Sequence, residues 1–175
     1  MIAEHKNTET INETYCEVAE KNIGNKTMRD VILAIEQGMK DMPDAWIGSK
    51  GNRDCADCPL THTFSDGIYL RELFIPAGKY IGGEIHIHNH PVFLMEGEII
   101  VITEQGYKHL LAPEYFISPA GTKRVAFTLS DTKWVTCHPN PTDEKDLDKL
   151  EDLNIATSFE EYDKILQNKE IPLLT

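Results

Sequence analysis

Cysteine, positive charge and long apolar runs are all scarce in this sequence. Four cysteines in 175 residues, Cys16, Cys55, Cys58 and Cys137, are too few for the disulfide framework of a small secreted protein, so reduced thiols are expected. Lys and Arg number 17 against 29 Asp and Glu, a formal charge of -12, which argues against binding a phosphate backbone and so against a nucleic-acid partner. No stretch approaches the roughly 18 consecutive apolar residues of a membrane span. The N-terminus MIAEHKNTETINETY is polar and lacks the charged-then-apolar order of a signal peptide, so a cytoplasmic protein without a membrane partner is expected. A glycine-rich phosphate loop, a GxSxG elbow, internal repeats and low-complexity tracts are also missing.

What remains is enough for one domain with terminal extensions. Residues 1–66 read as an N-terminal arm, a helix and a loop. The first 26 residues show no sustained period. From Thr27, the apolar residues Met28, Val31, Ile32, Ile35 and Met39 fall on one helical face, Thr27 can cap, and Asp30 suits the helix dipole. That helix should stop near Pro43. From Gly67 to about Pro139, short apolar runs alternate with turn residues in GIYLRELFI, EIHIHNH, VFLMEGEIIVIT, YKHLLA, YFISPAG, RVAFTLS and KWVTCHP. Strand-length runs at this spacing, without intervening helical patterns, indicate an antiparallel sandwich or barrel over 67–140. Residues 141–175 carry ten acidic and four basic residues. Leu147, Leu150 and Leu153 mark one helix there, and SFEEYDKILQ a second, capped by Ser158 with Glu161 three residues on. Such a charged extension is expected to be a solvated outer layer.

The stretch GGEIHIHNHPVFLMEGE holds the chemistry. In a strand, residues two apart face one side, so Glu84, His86, His88 and His90 would share a face. Imidazole and carboxylate together suit zinc, iron, manganese or nickel, so a divalent transition-metal site is one reading. A row of ordinary histidines at a barrel mouth is the other.

The same stretch resembles the cupins. Their first motif is Gly, five residues, His, one residue, His, three residues, Glu, six residues, Gly. Here Gly78, Glu84, His86, His90 and Gly97 stand at those positions, with Glu and His exchanged at two of them. The second motif is matched by PEYFISPAGTKRVAFT, where Pro119 and Gly121 are in place. Pro113 replaces the first Gly, Thr128 the Asn, and Arg124 stands where the fourth metal ligand would be. Arginine stays protonated and cannot ligate a metal. The resemblance implies a mainly β fold, a single double-stranded β-helix or jelly-roll barrel flanked by an N-terminal helix and acidic C-terminal helices. It also implies a ligand set of Glu84, His86 and His90, with His88 as an addition or replacement, and a homodimer or higher homo-oligomer. The wider chain resembles uncharacterised cupin-like proteins of phages and prophages, which would place it in a host cytoplasm.

Arg124 shares a strand face with Ala126 and Thr128. A buried arginine needs either a carboxylate partner, for which Glu72 and Glu84 are candidates, or an acidic ligand. Trp134 and Tyr69 could line the cavity or pack the core, and His138 is one more histidine at a strand end. The pair Cys55 and Cys58 would need His62 plus Cys16 or Cys137 to make a zinc site, and Pro59 does not suit a redox helix; packing thiols are the expectation. The leading expectation is a cavity lined by Glu84, His86, His88, His90, Arg124, Thr128, Glu72 and Trp134, binding a small anionic molecule beside a divalent metal. Oxygenation, isomerisation and hydrolysis all fit such a site. The alternative is a non-catalytic phage protein that sequesters a host small molecule or serves in assembly.

Overall fold

The structure, a computed structural model, describes residues 26–51 and 55–168. The N-terminal arm and Cys16 lie outside the described residues. The first described element, α1 (Met28–Met39), begins where its cap is built: Thr27 accepts from the Asp30 amide, and the Asp30 carboxylate accepts from the Thr27 amide at 2.7 Å. Its apolar face, with Ile32 and Met39 buried, packs with Val125 and Ile102 against one sheet.

Ten strands build the two main sheets. They are β1 (Ala45–Ile47), β2 (Leu60–Ser65), β3 (Ile68–Ile75), β4 (Tyr80–Gly82), β6 (His90–Glu96), β7 (Glu98–Thr103), β8 (Gly106–Leu111), β9 (Glu114–Ser118), β10 (Val125–Thr128) and β11 (Thr132–Pro139), with the two-residue β5 (Ile85–His86) set apart from both. One sheet has the order β1-β4-β10-β7-β8, the other β2-β3-β11-β6-β9. Leaving out the edge strands β1 and β2, the chain feeds β3 to one sheet, β4 to the other, β6 back to the first and β7 to the second. It closes with β10 between β4 and β7, and β11 between β3 and β6. This interleaved antiparallel order is the jelly-roll, or double-stranded β-helix, arrangement. The fold class expected from the sequence is the one observed, except that the sheets face each other without closing into a barrel. Sheet structure also begins ahead of Gly67, in β1 and β2.

The core lies between the sheets, where Leu73, Ile75, Val92, Leu94, Ile99, Val101 and Trp134 are buried together. Alternation puts them there: in β11 the buried residues are Thr132, Trp134, Thr136 and His138, every second position.

Beyond the sandwich, α2 (Leu147–Asn154), β12 (Ile155–Ala156) and α3 (Phe159–Asn168) return to it. The strand β12 pairs with β5, and Ala156, Phe159 and Tyr162 bury Ile85 and Ile87. Ser158 caps α3 by accepting from the Glu161 amide at 3.1 Å. Arg29 of α1 meets Asp163 of α3 at 2.8 Å and lies 4.4 Å from the centre of the Phe159 ring. The acidic extension is therefore structural wall and not only a solvated layer, a correction whose cause is the apolar face that Ile85 and Ile87 turn outward from the sandwich. Among the described residues no helix is long and apolar enough to cross a membrane.

Candidate metal centre and ligand cavity

The histidine run does not form one continuous strand. Pairing stops after His86, the backbone bends at Ile87 and His88, and β6 starts at His90. Burial of Ile85 and Ile87 against the C-terminal elements turns His86 the other way, toward the space between the sheets. His88 is drawn out of line, its Nε2 3.2 Å from the Leu153 carbonyl on α2. His90 is completely buried at the start of β6.

The third member of the cluster comes from elsewhere. His138, buried near the end of β11, brings its ring to 5.1 Å from that of His86 and 4.8 Å from that of His90, while the His86 and His90 rings lie 4.2 Å apart. One nitrogen of each falls within 4.8 Å of the others, and among the described residues no other three metal-ligating side chains meet so closely. Glu84 and His88 stand outside this group. Glu84 faces the cavity, accepts a backbone hydrogen bond from Lys50, and has its carboxyl raised by burial and by Glu151, with Arg71 opposing. A signal for His138 existed in KWVTCHP, because alternation from Trp134 places it on the inner face.

Burial keeps the cluster uncharged. It pushes His90 down to about 4, reinforced by Arg124, and His138 down to about 3, reinforced by His90 and Arg71. His86 falls well below the ordinary histidine range, again first through burial and then through His90 and His138. Neutral imidazoles have a lone pair to offer, and two such nitrogens are conspicuous: His86 Nδ1 and His90 Nε2 are buried with no hydrogen-bond partner. The residues present thus fit a nitrogen-binding divalent ion.

Arg124 lies just before β10 in the wall between this cavity and a neighbouring one. Its Nη2 donates to Ser118 Oγ and its guanidinium sits 5.9 Å from the centre of the Trp134 ring. Burial lowers it to about 10, with Glu104 opposing, so it remains a cation at neutral pH. Neither Glu72 nor Glu84 forms an ion pair with it among the described residues. Arg71 and Glu72 point to opposite sides of β3, and it is Arg71 that faces the cavity. Thr128 is occupied: its hydroxyl donates to the Pro76 carbonyl at 2.6 Å and accepts from the Lys79 amide, away from the cavity lining. Trp134 does line the cavity.

The cavity has a volume of about 130 Å³. Its polar wall includes Tyr69, Arg71, Glu84, His86, Arg124 and His138, and its apolar wall Leu73, Ile75, Ile81, Ile99, Val101 and Ala126. Helix α2 closes part of it with Leu150, Glu151 and Asn154. Cys55 and Cys58 are not among the residues that line the cavity. Cys58 is buried in the core cluster with its thiol pushed up to about 12, chiefly by burial, which makes it an inert packing group.

No family model matches the chain, and no curated protein matches it. Solved structures do. A cupin domain from Bordetella pertussis Tohama I is 17% identical, covering 49% of this chain and 96% of its own, with a TM-score of 0.40. An RmlC-like cupin family protein with a double-stranded β-helix fold from Methanocaldococcus jannaschii is 12% identical, covering 51% of this chain and 86% of its own, at a TM-score of 0.42. An RmlC-like cupin from Shewanella frigidimarina is 16% identical, covering 51% and 81% respectively, at 0.43. The strand order, and not these overlaps, defines the fold described above.

Proposed function

We propose that this chain is a metal-binding protein of the cupin type that holds a small anionic molecule in the cavity between its sheets. The observation that carries the reading is the trio of His86, His90 and His138, neutral and mutually close, with His86 Nδ1 and His90 Nε2 buried and unpartnered. These three would hold a divalent first-row transition metal, in place of the set of Glu84, His86, His88 and His90 expected from spacing. Such an ion would supply Lewis acidity toward a ligand oxygen or a place for O2.

The chain's own residues supply the rest. Arg124 provides a half-buried cation whose planar fork suits a carboxylate or phosphate, and Ser118 and Trp134 hold that fork in place. Arg71 and Arg124 both act on the histidines as positive neighbours. A bare cation is therefore opposed there, and an anion in the cavity would relieve the opposition. Metal and anion should consequently strengthen each other's binding by the same factor.

That same proximity favours a second reading, in which neutral histidines and the Arg124 guanidinium bind the anion with no metal at all. Elemental mass spectrometry of the purified chain, followed by zinc titration of chelated protein with and without acetate, separates the two. About one metal per chain, lost in His86→Ala and His138→Ala, supports the metal site. Absence of metal with undiminished anion binding supports the metal-free pocket.

A further inference from the structure

The cavity is two-ended, and strand register decides which chemistry occupies which end. Along β3 and β11 the paired inward residues run Tyr69 with His138, Arg71 with Thr136, Leu73 with Trp134 and Ile75 with Thr132. On the facing sheet Arg124 stands just before β10, Ala126 then pairs with both Ile81 and Val101, and Thr128 pairs with Ile99. Both walls change from polar to apolar in the same direction. One end holds Arg71, Arg124, His86 and His138, and the other is a shaft of Leu73, Ile75, Ile81, Ile99 and Ala126.

We propose that the cavity takes a compact amphipathic monocarboxylate, its acid group at Arg124 and its hydrocarbon tail in the shaft lined by Leu73, Ile75, Ile81, Ile99 and Ala126. This rests on the anion-binding part of the function proposed above and not on the metal. Three observations narrow the ligand. An apolar shaft gives no partner to a second charged or strongly hydrated group, which would stay unpaired on burial. Glu84 and Glu151 also face the cavity beside Arg71 and Arg124, so a dianion or a phosphate would meet more carboxylate repulsion there than a singly charged head does. The volume, about 130 Å³, is close to the cavity of about 150 Å³ that accommodates benzene in another protein, which limits the acid to about four to seven carbons.

Calorimetric titration of the full chain with acetate, butyrate, hexanoate, octanoate and decanoate tests the proposal, with succinate and inorganic phosphate alongside. Affinity should rise roughly fourfold for each methylene added, up to about hexanoate. It should collapse by decanoate, and butyrate should bind more tightly than succinate or phosphate. Ala126→Leu should move the optimum to a shorter acid and Leu73→Ala to a longer one, so that if one variant fails to fold the other still decides. Affinity that is flat with chain length, an optimum that neither folded variant moves, or tighter binding of succinate or phosphate would overturn the proposal. Zinc titration of the same sample keeps the two readings apart. A chain-length optimum without zinc binding removes the metal and leaves this inference standing, whereas zinc binding without any bound acid does the reverse.

Discussion

The ring of His90 donates from Nδ1 to the carbonyl oxygen of His88, 3.2 Å away. A carbonyl can only accept, so this bond sets the tautomer of His90 and leaves the Nε2 lone pair facing His86 and His138. His88 therefore serves the cluster through its backbone, while its side chain is engaged with Leu153.

The relationship separates two ligand sets by mutation. His86→Ala, His90→Ala and His138→Ala should each lower metal affinity at least about a hundredfold, because each removes one of three ligands. His88→Ala should leave metal stoichiometry at the wild-type value. Metal retained in His138→Ala but lost in His88→Ala would refute the cluster assigned here.

The buried histidines also make an acid-sensitive fold. Their folded-state values lie below the ordinary 6.5, at about 4 for His90 and about 3 for His138. Below 6.5 the unfolded chain takes up protons that the folded one refuses, so stability is complete above that pH and is lost as pH falls toward those values. Each such group removes about 1.4 kcal/mol per pH unit across its window. Urea denaturation of metal-free protein should show a steep decline between pH 6.5 and pH 4, flattened in His138→Gln. Equal slopes in the two proteins would contradict it.

Arg124 offers a test in which function and stability part. Replacing it with Met should weaken binding of carboxylates by tenfold or more and leave thermal stability unchanged or slightly higher, because a desolvated charge without a carboxylate partner contributes little to folding. A large loss of Tm would instead identify a structural arginine.

Gly97 joins β6 to β7 with φ 95°, and a Cβ there would stand 2.3 Å from the Asp131 carbonyl oxygen. Gly97→Ala should cost more than about 2 kcal/mol, since a left-handed conformation and a backbone collision add. Chemical denaturation measures this directly, and a loss below about 0.5 kcal/mol would show that the turn relaxes freely.

Much of the framework was legible beforehand because it depends on neighbours in the chain. The Thr27 cap, the alternating strands from Gly67 onward and the motif spacing from Gly78 to Gly97 are local patterns, and they lead to a helix followed by a jelly roll. Of the row Glu84, His86, His88 and His90, it is the His88 side chain that leaves the cavity side, for a local reason with a distant cause. Period two holds only while the strand continues, and here the pull of the C-terminal elements on Ile85, Ile87 and His88 ends β5 after two residues.

Composition and residue order by themselves determined the fold class, the acidic character and the presence of a histidine row and of Arg124. The tertiary structure decided which of them meet. Whether His138 joins His86 and His90 depends on β11 lying between β3 and β6, a pairing of segments far apart in the chain. Whether Arg124 finds a carboxylate depends on which side of β3 faces inward, and register put Arg71 there instead of Glu72. Side-chain periodicity is a property of one strand, whereas a binding site is made by the packing of several.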